Sequence, residues 1–370
     1  MFYHSLVSDW NHGNAHFLRG VAVELQRRGH QVVVHEPENA WSRMNLLADA
    51  GEAGEAYFHS AYPSLTAHPY DPSSWDPEET VRDADLVIVH EWNDHALVRR
   101  IGELRKRHSF TLLFHDTHHR LITDPEAMKA YDLRHYDGVL AFGDVLRDLY
   151  LSTGLAERAW TWHEAADTSR FSPRPGTAKE RDLIWVGNWG DDERTAELRE
   201  FLIEPVKRLG LKAALHGVRY PEHALAELSE AGIDYLGWLP NSEVPEAFAR
   251  SKVTVHVPRR PYANALPGIP TIRPFEAMAC GIPMVSAPWQ DSEGLFNAGR
   301  DHLVARDGAE MEDHLRRLLG SETLRAELAA AGLATICSRH TCRHRVSQLF
   351  KIYAEVLQER ADLKKEPVFQ

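Results

Sequence analysis

Arg273-Pro274-Phe275-Glu276-Ala277-Met278-Ala279-Cys280-Gly281-Ile282-Pro283-Met284-Val285-Ser286 reads as a helix start, a short helix, a glycine stop and a strand. Pro274 suits the first turn, where its missing N–H would be unpaired anyway, and Gly281 suits a left-handed stop. A helix start offers free backbone N–H groups and a partial positive charge, which suit a diphosphate. Arg273 adds a charge-assisted fork. Glu276, one turn in, is placed to accept two sugar hydroxyls. The same residues also make an ordinary capped connector helix in which the dipole favours Glu276.

That helix-then-buried-strand unit recurs in both directions. Upstream, apolar runs at Asp182–Val186, Lys212–His216, Asp234–Leu236 and Val253–Val257 alternate with helical patterns at Glu193–Leu209, Glu222–Ala231 and Ser242–Ala249. Downstream, helices are predicted over Gly308–Ala331 and near Cys342–Glu359, and Ala361–Gln370 reads as a frayed polar tail. The first part repeats the theme with runs at Phe2–Val7, Gln31–His35, Asp85–His90, Thr111–His115, Gly138–Phe142 and Ala159–Trp162. His16–Arg28 keeps helical spacing and ends at Gly29. Buried strands alternating with helices mean βαβ units and parallel sheets covered on both faces. Ala48–Glu79, rich in Gly, Pro and Ser, reads as a long loop or small insert. Ser169–Ala178, with two prolines, a glycine and no periodicity, reads as a linker near residue 175. The expected fold is α/β, with two doubly wound, Rossmann-like halves facing each other across a cleft. The expected units are 1–172, 173–345, and a final helix and tail, 346–370, crossing back to the first half.

The chain has 370 residues, 43% hydrophobic and 26% charged, values of a globular protein large enough for about two domains. Lys plus Arg is 42 and Asp plus Glu is 54, giving a net charge of −12. That sign disfavours nucleic acid and anionic membranes as partners but leaves room for a basic pocket. No apolar run has the length of a membrane span, and the N-terminus lacks the features of a signal peptide. The three cysteines, Cys280, Cys337 and Cys342, make no disulfide framework. A cytoplasmic location is expected.

In open α/β sheets ligands sit beyond the carboxyl ends of strands, and the polar clusters of this chain fall there. His12-Gly13-Asn14 follows the first run, and Gly13 lets the loop pass close to a phosphate or sugar. Glu91 and Trp92 follow the third, and the indole offers a face to a sugar. His115 and Asp116 end the fourth, with His118 beyond, and Asp116 is placed as a general base or acceptor-hydroxyl ligand. Gly187 and Asn188 open the second half, with Arg194 downstream to face a phosphate. Each cluster also has a plain structural reading as a turn, a rim aromatic or a helix cap. Metal is not expected: His115 and His118 need a turn to converge, and Cys337, His340, Cys342 and His344 lack the spacing of a zinc site.

Phe275–Val285 resembles the E-A-M-A-C-G-x-P-V-V signature of GT-B glycosyltransferases, family 4-like enzymes above all. With Arg273 ahead of it, the segment is most similar to the spore-maturation, CgeB-like branch. Trp162–Pro173 resembles that family's P-N-G-V-D-x-x-x-F-x-P passage into the linker, and Leu236–Pro245 its G-x-l-p-x-e-e-l turn. The likeness covers most of the chain beyond residue 110; it is specific in the second half and diffuse in the first. It implies that Glu276 binds the donor ribose, that the backbone at Ile272 and Arg273 holds the diphosphate, and that Trp238 and Leu239 meet the nucleobase. It also implies a basic residue near Arg194 for the leaving diphosphate and a histidine, His115, beside the donor sugar. One departure is plain. The pattern has a glutamate eight residues before the second one, and here that position is Gly268; CgeB-like members also tend to lack it.

The expected activity is therefore transfer of a hexose-type sugar, with retention, from a nucleotide diphosphate-sugar to an acceptor hydroxyl. A UDP-sugar is the first choice, with GDP- or ADP-sugar open, and no metal is required. A sugar-nucleotide epimerase and a non-catalytic nucleotide- or glycan-binding module remain as alternatives. A dinucleotide oxidoreductase does not fit, since no G-x-G-x-x-G follows a predicted strand.

Overall fold

The computed structural model describes residues 1–11 and 13–363; His12 and the end of the polar tail lie outside the described residues. The strands are β1 Val34–Pro37, β2 Ala67–Tyr70, β3 Leu86–His90, β4 Thr111–Asp116, β5 Gly138–Ala141, β6 Ala159–Thr161, β7 Arg181–Val186, β8 Ala213–His216, β9 Ile233–Tyr235, β10 Ser251–His256, β11 Met284–Ser286 and β12 Leu303–Val304. All their ladders are parallel.

The second sheet runs β12-β11-β10-β7-β8-β9. Numbered from β7, this is the doubly wound order, with its reversal between β7 and β10. In the first half β3-β4-β5-β6 form one sheet and β1-β2 a separate pair. Phe2 joins them, bridging His35 on one side and Val89 on the other. The predicted strand Phe2–Val7 thus shrinks to one paired residue, but it fills the slot that makes the whole order doubly wound as well.

The reason is visible in the hydrogen bonds. Beyond Tyr3 the backbone leaves the ladder, and side chains take over its polar groups. The Leu6 and Val7 N–H groups donate to Glu36 Oε2 at 2.6 and 3.3 Å. The Arg19 guanidinium donates to the Leu6 and Val7 carbonyls at 2.9 and 2.7 Å. Buried backbone groups need partners, and two charged side chains supply them here in place of a neighbouring strand.

Alternation along the strands sorts the core. Ile88, Leu113 and Leu140 face one side with Phe17, Val21 and Trp162, while Val89, Leu112 and Phe114 face the other with Val98 and Ile101. Each such buried side chain contributes about 1.5–3 kcal/mol. The first cluster continues through Phe275, Met278, Ile336 and Leu349, so the two sheets share apolar packing behind the cleft. The Cys342–Leu363 helix lies against the Asn14–Arg27 helix at a glycine; a Cβ on Gly20 would stand 2.5 Å from Cys342 Sγ. Along it Trp162 Nε1 donates to the Arg345 carbonyl at 2.9 Å and Gln348 donates to the Thr161 carbonyl at 2.7 Å.

Two other expectations need correction. Ala48–Glu79 is not a long loop. A helix spans Trp41–Ala61, kinked at Gly51 (φ +60°), and is followed by β2. Leu46 and Phe58 give it a buried side, and Gly54 packs on Leu46. Gly308–Ala331 is two helices, Gly308–Gly320 and Glu322–Arg339, broken at Ser321, whose hydroxyl caps the second by accepting from the Leu324 N–H at 3.1 Å.

Candidate active-site cleft

A cavity of about 940 Å³ opens at the carboxyl ends of both sheets. From the first half His4, Gly13, Asn14, Trp41, Trp92, His118, His119, Arg120 and Glu164 line it. From the second come Gly187, Asn188, Arg194, His256, Arg259, Thr271, Ile272 and Arg273. The strand-order reversals of both halves lie at this place, so topology alone explains why these loops meet.

The second-half wall is cationic. Arg194, after β7, is held by the Asn188, Trp189 and Val257 carbonyls. Burial, then the neighbouring Arg259 charge, lower its pKa to about 9, so it stays charged at neutral pH. Its guanidinium lies 5.1 Å from the centre of the Trp185 ring. Arg259, after β10, pairs with Glu193 at 3.0 Å. Arg273 lies in the first turn of the Ile272–Ala279 helix and pairs with Glu276.

Thr271, the residue before that helix, has φ +60° and ψ −176°, a region open essentially only to glycine. Asn11, Asp191 and Arg219, which also line the cavity, share a positive φ. Backbone strain of this kind costs about 1–3 kcal/mol per residue and collects where a site needs a particular backbone direction.

A smaller annex of about 80 Å³ adjoins this wall, lined by Gly187, Asn188, His216, Val218, Trp238 and Leu239. Trp238 Nε1 donates to Asp9 Oδ1 at 3.1 Å, and the Asn241 N–H donates to Asp9 Oδ2 at 3.1 Å. Asp9 is itself paired with Arg19 at 2.8 Å. The halves are thus tied across the cleft floor, where Asn11 and Asn188 also bond. Gly13 is needed there, since a Cβ on it would sit 2.6 Å from Ile272 Cγ2.

Several residues expected in the cleft stand behind its wall. His115 is buried, with Nδ1 2.6 Å from the Tyr3 hydroxyl and its ring edge-on to Trp162. Burial pushes its pKa down to about 3, so it is a neutral imidazole. Asp116 accepts from the Tyr150 hydroxyl at 2.7 Å and from the His118 N–H at 3.0 Å, and burial raises its pKa to about 6. Glu91 is buried and grips Arg120 at 2.6 Å; burial, then Asp116, push its carboxyl up to about 8. The exposed wall begins one residue past β4, at Thr117, because every residue of Thr111–Asp116 is enclosed between the sheet and its covering helices. Trp92 and His118 do face the cavity, in edge contact with ring centres 5.2 Å apart, and Arg120 stacks on Trp92 at 4.2 Å.

Glu276 is also enclosed. Its carboxylate takes the Arg273 guanidinium and the Asn241 Nδ2 donor at 2.8 Å, and His16 Nδ1 lies 3.3 Å away without a hydrogen bond to it. His16 Nε2 accepts the Asp167 N–H at 2.8 Å, which leaves the ring proton on Nδ1, facing the acid. Burial raises the Glu276 pKa against the pull of Arg273 and Asn241.

Sequence reasoning missed Thr271, His256, Arg259 and Glu164. Arg259 follows a predicted strand and the strand-end rule finds it. Thr271 carries no signal, because its oddity lies in its backbone.

Among the described residues no cluster of His, Cys, Asp and Glu has the grouping of a metal site, and no helix is long and apolar enough to cross a membrane. No curated protein sequence matches the chain. Solved structures match along nearly its whole length. Anabaena HepE, solved with UDP and glucose, has a TM-score of 0.67 at 15% identity over 95% of this chain and 98% of its own. Sucrose-phosphate synthase of Thermosynechococcus elongatus gives 0.64 at 13% identity over 94% of each chain. T4 phage β-glucosyltransferase, in complex with its UDP-glucose substrate, gives 0.58 at 15% identity over 93% and 94%. Residues 194–351 match a family model described as glycosyl transferase-like. The architecture is therefore that of the GT-B glycosyltransferases, two Rossmann-like domains across a cleft, and the second half carries a glycosyl transferase-like sequence pattern.

Proposed function

We propose that the protein is a glycosyltransferase that moves a sugar, a hexose in the first instance, from a UDP-sugar to an acceptor hydroxyl. The observation that carries this is the cationic wall: Arg194, Arg259 and Arg273, from separate segments, beside the strained opening of the Ile272–Ala279 helix. Fixed cations around free amides suit a diphosphate and stabilise the charge that it gains as the glycosidic bond breaks. The annex at Trp238 and Leu239 is of a size to take part of a nucleobase. Structures solved with UDP or UDP-glucose share the fold, which supports uridine as the base.

Residues 173–345 form the donor side and residues 1–172 the acceptor side, with the segment from 346 closing back on the first half. The bonds from Gln348 to Thr161 and from Trp160 to Glu355 support that division. Gly13, Asn14, Trp92 and His118 make the acceptor wall, where an indole face and neutral polar groups suit a sugar or another polyol. Asp116, the candidate base for inversion, is turned into the core, which supports retention. Glu276 acts as a positioning residue that holds Arg273, and His115 as part of the support beneath the wall. The reaction runs in the cytoplasm without a resident metal, the arginines supplying the positive charge, and the CgeB-like branch remains the proposed affiliation.

Calorimetry with UDP, GDP, ADP and dTDP tests the donor side, and release of UDP on adding an acceptor tests transfer. Binding without turnover would make the protein a carrier module, and an epimerised donor without transfer would make it an epimerase. Proton NMR of the product anomer reads retention, and activity in EDTA reads the metal requirement.

A further inference from the structure

The segment after β6 is held to its neighbours by several hydrogen bonds. Its backbone runs beside residues 340–342: the Ala166 N–H donates to the His340 carbonyl at 3.0 Å and the Cys342 N–H to the Ala166 carbonyl at 2.9 Å. Arg345 donates to the His163 carbonyl at 2.8 Å. His163 pairs with Glu293 at 2.7 Å, and Asp167 accepts from the Ser169 hydroxyl at 2.5 Å. Between them stands Glu164, 2% exposed, lining the cavity, with Oε1 buried and without a hydrogen-bond partner.

The other carboxylates of this corner are committed. Glu276 holds Arg273 and Asn241. Glu293 is taken by His163 and by the Asp144 N–H at 2.8 Å, and it lies against Gly268, where a Cβ would come within 2.6 Å of its Oε1. An unpartnered buried carboxyl is costly, and a rigid backbone holds this one in the cavity wall.

We propose that Glu164 is a specificity-determining residue that hydrogen-bonds the hydroxyls of the donor sugar. The charge pattern chooses the ligand. A carboxyl group brings no positive charge to a phosphate, so Glu164 is not matched to the diphosphate, which the arginines suit. It does lie close enough to Arg273 and Glu276 to feel both charges. The group next to a diphosphate held at Arg273 is the sugar attached to it, a neutral polyol that offers donors to an unsatisfied acid oxygen. Burial, then the Glu276 charge, raise the Glu164 pKa to about 8, so the group can also donate a proton to a sugar oxygen. The proposal rests on the donor reading above and adds to it the residue that separates sugar from nucleotide.

Calorimetry with UDP and with UDP-glucose, on wild type, Glu164→Gln and Glu164→Ala, tests it. UDP affinity is expected to stay within about twofold of wild type in both variants, because UDP has no sugar to lose. UDP-glucose affinity is expected to fall about tenfold or more in Glu164→Ala and less in Glu164→Gln, which keeps the shape and a donor. The melting temperature is expected to hold or rise, since the substitutions remove an unsatisfied acid. Unchanged UDP-glucose binding in both variants would overturn the proposal. So would equal weakening of UDP and UDP-glucose, or a lower melting temperature in Glu164→Gln, which would mark a structural residue. Failure of wild type to bind UDP would instead remove the donor reading and the proposal with it.

Discussion

Replacing Glu276 decides whether this acid is a ligand for nucleotide or the strut beneath the site. In Glu276→Ala two groups lose their partner at once: the Arg273 guanidinium, 17% exposed, and the buried Asn241 amide. Breaking a buried pair by removing one member costs about 3–5 kcal/mol, because the surviving charge stays behind without compensation. Glu276→Gln keeps the volume and one acceptor oxygen, which Asn241 can still use. Its amide then turns N–H groups toward the Arg273 guanidinium, donor against donor, and the charge-assisted bond is lost for about 1.5–3 kcal/mol. Urea unfolding followed by the fluorescence of the ten tryptophans reads both variants. The expected order is wild type, then Gln, then Ala, with UDP binding weakened in step as Arg273 comes loose. Stability of both variants within about 0.5 kcal/mol of wild type, together with lost UDP affinity, would refute the strut and restore a direct ribose contact.

Gly13→Ala is expected to destabilise by about 1–3 kcal/mol, because a Cβ 2.6 Å from Ile272 Cγ2 forces the two halves apart. Adding Ile272→Ala should return part of that loss in the same unfolding assay. Thr271→Gly is expected to gain up to about 2 kcal/mol, the relieved strain at φ +60° exceeding the entropy of an added glycine; a loss in melting temperature would show that the backbone there is not strained. The pH profile of stability follows from buried groups of two kinds. Burial holds His16, His115 and His256 down to about 3, so the folded state stays neutral while the unfolded chain takes up protons below about 6.5. Their contribution is present above that pH and is lost as pH falls toward 3. Glu91 and Glu164, raised to about 8, behave oppositely: their contribution is present below the ordinary glutamate value and is lost as pH rises toward 8. Urea midpoints at pH 5, 6.5 and 8.5 should therefore peak at the middle value; a flat series would count against the buried, uncharged states.

The second half was legible because its sheet is buried on both faces. The run Leu183–Val186 is apolar without alternation, Val253–Val257 is buried throughout although Thr254 and His256 interrupt it, and each is closed by a glycine or proline that marks the turn. The first half hid more. Phe2–Val7 looks like a strand by composition, yet its backbone is satisfied by Glu36 and Arg19, two side chains whose reach no local pattern reveals. Ala48–Glu79 looked irregular because Gly51 and Gly54 are read as breakers, while here one kinks a helix and the other lets it pack on Leu46. In the site, the strand-end rule located the cleft to within a residue or two but not which residues face it. His115 and Asp116 are the last two of β4, still enclosed, and Thr117 is the first in the cavity. Glu164 lies inside the Trp162–Pro173 segment, and the available signal was an acid two residues past the apolar run Ala159–Trp162, where a charge needs a reason.

The two walls of the cavity differ in kind, and the difference follows from how each half satisfies its own polar groups. The second half spends backbone carbonyls and carboxylates on Arg194, Arg259 and Arg273, which fixes the guanidinium groups without cancelling all their N–H donors. The first half spends its acids in the opposite direction. Glu91 and Asp116 are drawn beneath the surface by Arg120 and Tyr150, leaving a wall of rings and polar atoms in which the Arg120 charge is paired with Glu91 and stacked on Trp92. One side therefore presents several cations to an anion and the other mostly rings and paired polar groups to a hydroxylated surface, with Glu164 Oε1 unpaired between them. A ligand that satisfies the whole cavity must be charged at one end, polyhydroxylated in the middle and uncharged at the other. A nucleotide diphosphate-sugar laid against an acceptor hydroxyl has that order of parts.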